Sequence, residues 1–332
     1  TGSLLVRAAH HSDEHEIARC AADDLAAIVY TSGTTGRSKG AMLTHGNMLS
    51  NARTLKAYWN WQPGDVLVHA LPIFHIHGLF VACHGALLNG SRMIWFDRFE
   101  APAVVARLPD ATVFMGVPTM YVRMLGEPGL SAELCRSMRL FVSGSAPLLS
   151  DTFTAWQQRT GHTILERYGM SEAVIITTNP LNGKRISGSV GYPLPGVELS
   201  LRDEEGAEVA GDGIGELCVR GAQVTDGYWQ RADEDAQAFF PGGWFRTGDI
   251  ARRDADGYYF LLDRRKDMIL VSGFNVYPNE VEDVVSQMPG ILECAAVGVP
   301  DEHSGEAVKL VAVRSDPAVT EEQVRAYCTQ NL

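Results

Sequence analysis

Four short apolar runs, residues 66–71, 91–96, 112–116 and 139–143, recur through the first half of the chain, separated by stretches of helical character such as 101–108 and 118–125. Strands alternating with helices predict α/β layers around a mostly parallel sheet. An earlier apolar run, residues 25–30 (LAAIVY), reads as one more buried strand, feeding a Gly/Thr/Ser loop and then a helix beginning near His45. After about Gly188 the texture changes to many glycines, turns such as Asp256-Gly257 and short alternating strands at 197–202, 215–220 and 258–262, which suggest an antiparallel β subdomain. A third region from Lys266 holds a helix over 279–287, strands at 295–299 and 308–314 and a last helix near Thr320. The expected fold class is therefore α/β: a large layered α/β domain with an antiparallel β subdomain over residues 1–265, followed by a small α+β unit over 266–332. With 45% hydrophobic residues among 332, the chain can bury one large core or two of ordinary size.

Charge and cysteine usage narrow the function classes. Lys plus Arg number 28 against 40 Asp plus Glu, and a net charge of -12 disfavours non-specific binding to nucleic acid or anionic lipid. A phosphate ligand must then be held locally. Cys20, Cys83, Cys135, Cys218, Cys294 and Cys328 lie far apart with no CxxC pair, which fits a reducing cytoplasm. No run of 18 apolar residues predicts a transmembrane segment, and the first residues lack the apolar stretch of an export signal. His10, His11 and His15 stand in a polar segment with no second ligand cluster at metal-site spacing, so it reads as a solvated approach to the fold.

The strongest local signal is Tyr30-Thr31-Ser32-Gly33-Thr34-Thr35-Gly36-Arg37-Ser38-Lys39-Gly40. Glycines let the backbone close around an anion, hydroxyls and amides donate to it, and Lys39 adds a point charge. That chemistry suits a polyphosphate. Measured against the P-loop pattern, Lys39 has the right distance from Gly33, but Ser38 replaces the second glycine and Gly40 the metal-binding hydroxyl. An ordinary P-loop NTPase is disfavoured.

This segment resembles the signature of the adenylate-forming superfamily of acyl-CoA synthetases, luciferases and peptide-synthetase adenylation domains. Four further matches follow in that family's order: Ser143-Gly144-Ser145-Ala146-Pro147; Arg167-Tyr168-Gly169-Met170-Ser171-Glu172; Thr247-Gly248-Asp249; and Arg264-Arg265-Lys266-Asp267-Met268-Ile269 with Ser272-Gly273. The resemblance covers residues 25–332 and implies activation of a carboxylic acid with ATP, then transfer to coenzyme A. It implies that Gly144, Ser145, Ala146, Pro147 and the ring of Tyr168, with Gly169 beside it, sandwich adenine. Thr31, Ser32, Gly33, Thr34, Thr35, Gly36, Lys39 and Ser171 would meet the phosphates, and Glu172 would hold Mg²⁺. Asp249 and Arg264 would contact the ribose. Lys266 would be the hinge of a C-terminal lid, and Gly273 would line the passage for CoA. His75 matches a gate beside the acyl site, with a core histidine as the other reading; His77 and His84 have no such match.

The stretches Gly116-Val117-Pro118-Thr119-Met120-Tyr121-Val122-Arg123, Ser143 and 166–172 are similar to malonyl-CoA synthetases, which implies that Arg123 clamps the far carboxylate of malonate, with Met170 and Ser143 lining the acid site. Arg123 as the cap of a solvated helix face stays open. Ile76 departs from that group, and residues 266–282 also resemble medium- and long-chain fatty acyl-CoA ligases, the alternative reading. A non-catalytic nucleotide-binding relative and an adenylation domain serving a carrier protein are further alternatives, and a homodimer is compatible with all of them. Family members usually carry about 150 residues before the loop and a lid lysine near a Pro-x-x-x-x-Gly-Lys motif after it. Both are missing from this sequence, which implies a core and a lid that are each incomplete and impaired adenylation by the 332-residue chain. Asp263 stands where glycine is usual.

Overall fold

The apolar runs become strands of one seven-stranded sheet in a computed structural model that describes residues 3–12, 14, 16–31, 38–211, 213–301 and 303–332. Ser32, Gly33, Thr34, Thr35 and Gly36 lie outside the described residues. A short helix α1 (Ser3–Ala8) precedes an antiparallel hairpin of β1 (Leu25–Thr31) and β2 (Lys39–Thr44). Helix α2 (His45–Tyr58) starts where Thr44 and Asn47 exchange side-chain and backbone hydrogen bonds, a reciprocal cap that satisfies two orphan amides.

Two expectations about this segment need correction. The run at 25–30 is not a buried strand: Leu25 and Tyr30 are exposed and the residues between are half-buried, because β1 pairs with β2 and not with the main sheet. Strand β2 also intervenes before the helix, so α2 follows a strand that pairs with β1 and does not follow the Gly/Thr/Ser segment directly.

The main sheet follows the order β4-β3-β5-β6-β7-β8-β9, made of β3 (Val66–His69), β4 (Arg92–Trp95), β5 (Val113–Gly116), β6 (Leu140–Ser143), β7 (Leu165–Met170), β8 (Val174–Thr178) and β9 (Tyr192–Pro193). The pairings from β4 to β7 are parallel, while β8 and β9 are antiparallel. The connections carry a π-type helical turn His77–Cys83 that runs into α3 (His84–Asn89), then α4 (Ala101–Arg107), α5 (Pro118–Leu125) and α6 (Ser150–Thr160). Fully buried Phe114, Tyr121, Phe141 and Trp156 interlock edge-to-face in the core between sheet and helices.

A five-stranded antiparallel sheet follows, with β10 (Val197–Arg202), β11 (Ile214–Gly221), β12 (Phe239–Phe240), β13 (Trp244–Arg253) and β14 (Tyr259–Arg264), and helix α7 (Ala232–Ala238) before β12. Its own apolar cluster includes Leu217, Val219, Phe245 and Tyr259 and takes in Tyr168 from β7. The last region forms a four-stranded sheet, β16-β15-β18-β17, from β15 (Ile269–Val271), β16 (Phe274–Val276), β17 (Ile291–Asp301) and β18 (Gly305–Arg314), with α8 (Pro278–Ser286) and α9 (Glu321–Asn331). Ser272 and Gly273, both at positive φ, form the two-residue turn between β15 and β16, a geometry that glycine adopts without strain.

Candidate functional site

The β1/β2 hairpin sets Lys39 directly opposite Thr31. Lys39 Nζ lies 4.9 Å over the Tyr228 ring, and the Tyr228 hydroxyl donates to Glu172 Oε1 at 2.9 Å. Lysine and acid are therefore joined through one aromatic ring. The segment at residues 225–229 fixes this spacing: Thr225 N donates to Glu172 O (2.7 Å), Met42 N to Gly227 O (3.0 Å) and Trp229 N to Gly40 O (2.8 Å). Lys39 also pairs with Glu234 Oε2 at 2.8 Å.

Glu172, 5% exposed, sits with Ser171 in the tight turn that joins β7 to β8, closed by Ala173 N donating to Met170 O. Val174 follows at φ +53°, a region that a β-branched residue enters only when its surroundings hold it there.

Strand β7 distributes side chains by simple alternation. Tyr168 turns toward the antiparallel sheet, where its hydroxyl donates to Asp249 Oδ2 at 2.5 Å, and Arg264 Nε lies 3.3 Å from Asp249 Oδ1. Burial pushes the Asp249 carboxyl above its ordinary range, opposed by the Tyr168 hydrogen bond and the Arg264 charge, and the charge of Glu172 reaches it as well. Gly169 lies between Tyr168 and Met170 at the end of the strand.

Arg167 faces the other way. It is 4% exposed, and burial pulls its guanidinium down to about 9. Gly144 passes so close that an added Cβ would lie 2.6 Å from Arg167 Cζ, so any side chain there would have to displace the guanidinium. Ser145, at φ +73°, and Ala146 and Pro147 continue this loop at the surface. Ser145 Oγ is 3.3 Å from Nδ1 of the buried His77, whose basicity is pushed well below normal by burial and by Arg167. His75 stands exposed at the rim, its Nδ1 accepting from His77 N. Among the described residues, Ser143 Oγ, His77 Nε2 and Arg167 Nε and Nη2 are buried polar atoms with no hydrogen-bond partner.

Sequence reasoning thus missed Arg167 and His77 as site residues, and Tyr228 and Glu234 entirely. Arg167 had a usable signal, a charge inside an otherwise buried strand next to the matched glycine loop. The structure does not bring Arg123 to the other candidates: it lies on the exposed face of α5 with its guanidinium 5.2 Å from the Phe99 ring centroid. Lys266 is exposed in the turn after β14, and around Gly273 an added Cβ would meet nothing within 4 Å. A cleft of about 420 Å³ lined by Arg53, Lys56, Ala57, Asn60, Trp61 and Leu88 contains none of these candidates.

Glu166, the neighbour of Arg167, is 7% exposed and accepts from Gly188 N at 3.2 Å. Burial, with Asp283 of α8 adding repulsion, raises its carboxyl to about 8. The folded pKa lies above the unfolded one, so the cost of ionising Glu166 is absent below about pH 4.5 and complete above about pH 8. Denaturant unfolding should therefore show stability falling across that window, and Glu166→Gln should flatten the profile and gain roughly 3 kcal/mol at pH 8.5. A variant with the same slope as the parent would remove Glu166 as its source.

Comparison with known proteins adds to this geometry. The model of the AMP-binding enzyme family matches residues 3–229, and that of the AMP-binding enzyme C-terminal domain matches residues 280–332. A long-chain-fatty-acid–CoA ligase of Salmonella typhimurium is 43% identical over 318 residues, 94% of this chain and 56% of its own length. A malonate–CoA ligase of Arabidopsis thaliana is 35% identical over 342 residues, 93% of this chain and 56% of its own length. The crystal structure of ATP-bound MatB from Rhodopseudomonas palustris superposes with a TM-score of 0.96 at 47% identity, covering 100% of this chain and 66% of that one. The chain thus spans 56% of the length of these curated relatives.

Proposed function

The chain belongs to the AMP-binding enzyme family, and from that premise we propose that its protein is an AMP-forming acid–thiol ligase acting on malonate or a substituted malonate. The observation that carries this reading is Arg167. Its two unpartnered nitrogens, Nε and Nη2, lie on one edge of the guanidinium, the edge that grips a carboxylate with two parallel hydrogen bonds. A dicarboxylic acid supplies that partner, leaving its other carboxylate to react, whereas the tail of a fatty acid would leave a buried cation unpaired. We assign to Arg167 the role that the sequence suggested for Arg123; Ser143 Oγ and His77 Nε2 are further buried polar atoms left without a partner among the described residues.

ATP would bind with adenine between the Gly144–Pro147 loop and Tyr168, ribose hydroxyls on Asp249 beside Arg264, and phosphates toward Lys39, Thr31, Ser171 and the loop 32–37. A carboxylate oxygen of the acid attacks the α-phosphorus, the bond to the β-phosphate oxygen breaks, and pyrophosphate leaves with its charge drawn toward Lys39. Glu172 fits a Mg²⁺ site: Oε1 accepts from Tyr228 while Oε2 accepts no hydrogen bond among the described residues, and Mg²⁺ usually takes one or two carboxylates plus phosphate oxygens. The ion would supply charge neutralisation for the triphosphate. In the second half-reaction the thiolate of CoA attacks the acyl carbon and AMP departs, with residues 266–332 acting as a lid that turns about Lys266 and opens a passage past Gly273. The six cysteines are all free thiols, which suits a reducing cytoplasm.

A second reading rests on the 43% identity to a long-chain-fatty-acid–CoA ligase. A thermal-shift titration with Mg·ATP and malonate, methylmalonate or octanoate separates the two. We expect the dicarboxylates to raise the melting temperature in synergy with ATP; a response to octanoate alone would favour the fatty-acid reading.

A further inference from the structure

Helix α7 carries three acids in its first turn, Asp233, Glu234 and Asp235, while burying no residue of its own. Asp235 is committed to the backbone, since its Oδ1 accepts from Tyr228 N at 2.7 Å. Glu234 has a different partner: its Oε2 meets Lys39 Nζ at 2.8 Å, across 195 residues of sequence, with both side chains only 16% exposed. Among the described residues this is the one hydrogen bond that the Glu234 side chain makes. It therefore serves neither the cap of α7 nor the clamp at 225–229.

The surroundings make that pairing consequential. Beneath the ammonium lies the Tyr228 ring, and the hydroxyl at the edge of that ring donates to Glu172. Three carboxylates are thus grouped about Tyr228, and of these Glu234 pairs with Lys39 while Glu172 and Asp235 accept from the tyrosine hydroxyl and backbone. A polyphosphate arriving at Lys39 meets an ammonium that is already paired, and its oxygens would stand beside the Glu234 carboxylate with charge of the same sign. Lysine can exchange partners readily, because its ammonium is a compact charge with three rotatable donors on a flexible stem. We propose that Glu234 is the resting counter-ion of Lys39, a positioning residue that holds the ammonium over Tyr228 and yields it to the β,γ end of a polyphosphate. This rests on the nucleotide reading of the site. The ion pair keeps Lys39 from wandering while the site is empty, and it opposes phosphate binding by the strength of the contact that must be given up.

The test is calorimetric titration of the chain and its Glu234→Gln variant with inorganic tripolyphosphate, ATP and AMP. Glutamine keeps the shape of the side chain and removes the charge. Glu234→Gln should bind tripolyphosphate and ATP about fivefold more tightly, the factor expected for a partly exposed ion pair, with the affinity for AMP unchanged. In a Lys39→Met background the same substitution should produce no tightening. Unchanged or weaker tripolyphosphate binding by Glu234→Gln overturns the proposal, and so does an equal shift for AMP, which would mark a general structural effect. If the parent chain binds neither tripolyphosphate nor ATP, the nucleotide reading itself fails and takes this proposal with it.

Discussion

Arg167→Met should give a protein that melts at higher temperature than the parent and has lost its response to malonate. The buried guanidinium has no hydrogen bond or ion pair among the described residues, and its lowered basicity records what that burial costs. Methionine has similar reach, no charge and flexible packing, so the change removes a desolvated cation without opening a large cavity. A gain of about 2 kcal/mol is the expected scale for replacing a buried charge with an apolar side chain. The loss for malonate should be about 100-fold, because the far carboxylate of the acid then finds no charged partner at this position. Melting curves with and without malonate plus Mg·ATP read both effects at once. A destabilised variant that still responds to malonate would show that Arg167 is a structural residue and return the role to another cation.

Gly169→Ala should cost about 3 kcal/mol and weaken ATP binding along with it. A Cβ on Gly169 would lie 1.8 Å from the carbonyl oxygen of Val174, which is backbone and cannot rotate away. Val174 is already held at φ +53°, so the turn has little freedom to yield. The strain would fall on Ser171 and Glu172 between them. Chemical denaturation measures the stability loss, and calorimetry with Mg·ATP the loss of binding. A fully stable Gly169→Ala protein would mean that the hairpin can open at low cost and that Glu172 is less firmly placed than its packing suggests.

The sheet was legible in the sequence because short apolar runs separated by helical stretches have few other ways to bury themselves, and residues 66–143 folded as those runs implied. Strand β2 was not legible. It opens with Lys39-Gly40, which local preference assigns to a loop, and it becomes a strand only by pairing with β1 and by the contacts of Gly227 and Trp229. The glycine-rich and acidic motifs could be located by their order along the chain. Which side chains meet could not: Tyr228 and Glu234 reach Lys39 across nearly two hundred residues, and no spacing rule connects them. Arg167 and His77 escaped for another reason. A charged or polar residue inside a buried element carries no periodic signature; the neighbouring glycine loop was a hint for Arg167, but the lack of partners that separates both residues from satisfied ones appears only in the fold.

Because the 225–229 segment bonds to Gly40 and Met42 on one side and to Glu172 on the other, the gap between Lys39 and Glu172 is set by main-chain contacts, and side-chain exchanges within β2 should leave it untouched. A family built on this frame can thus change its side chains freely while lysine and acid keep their register.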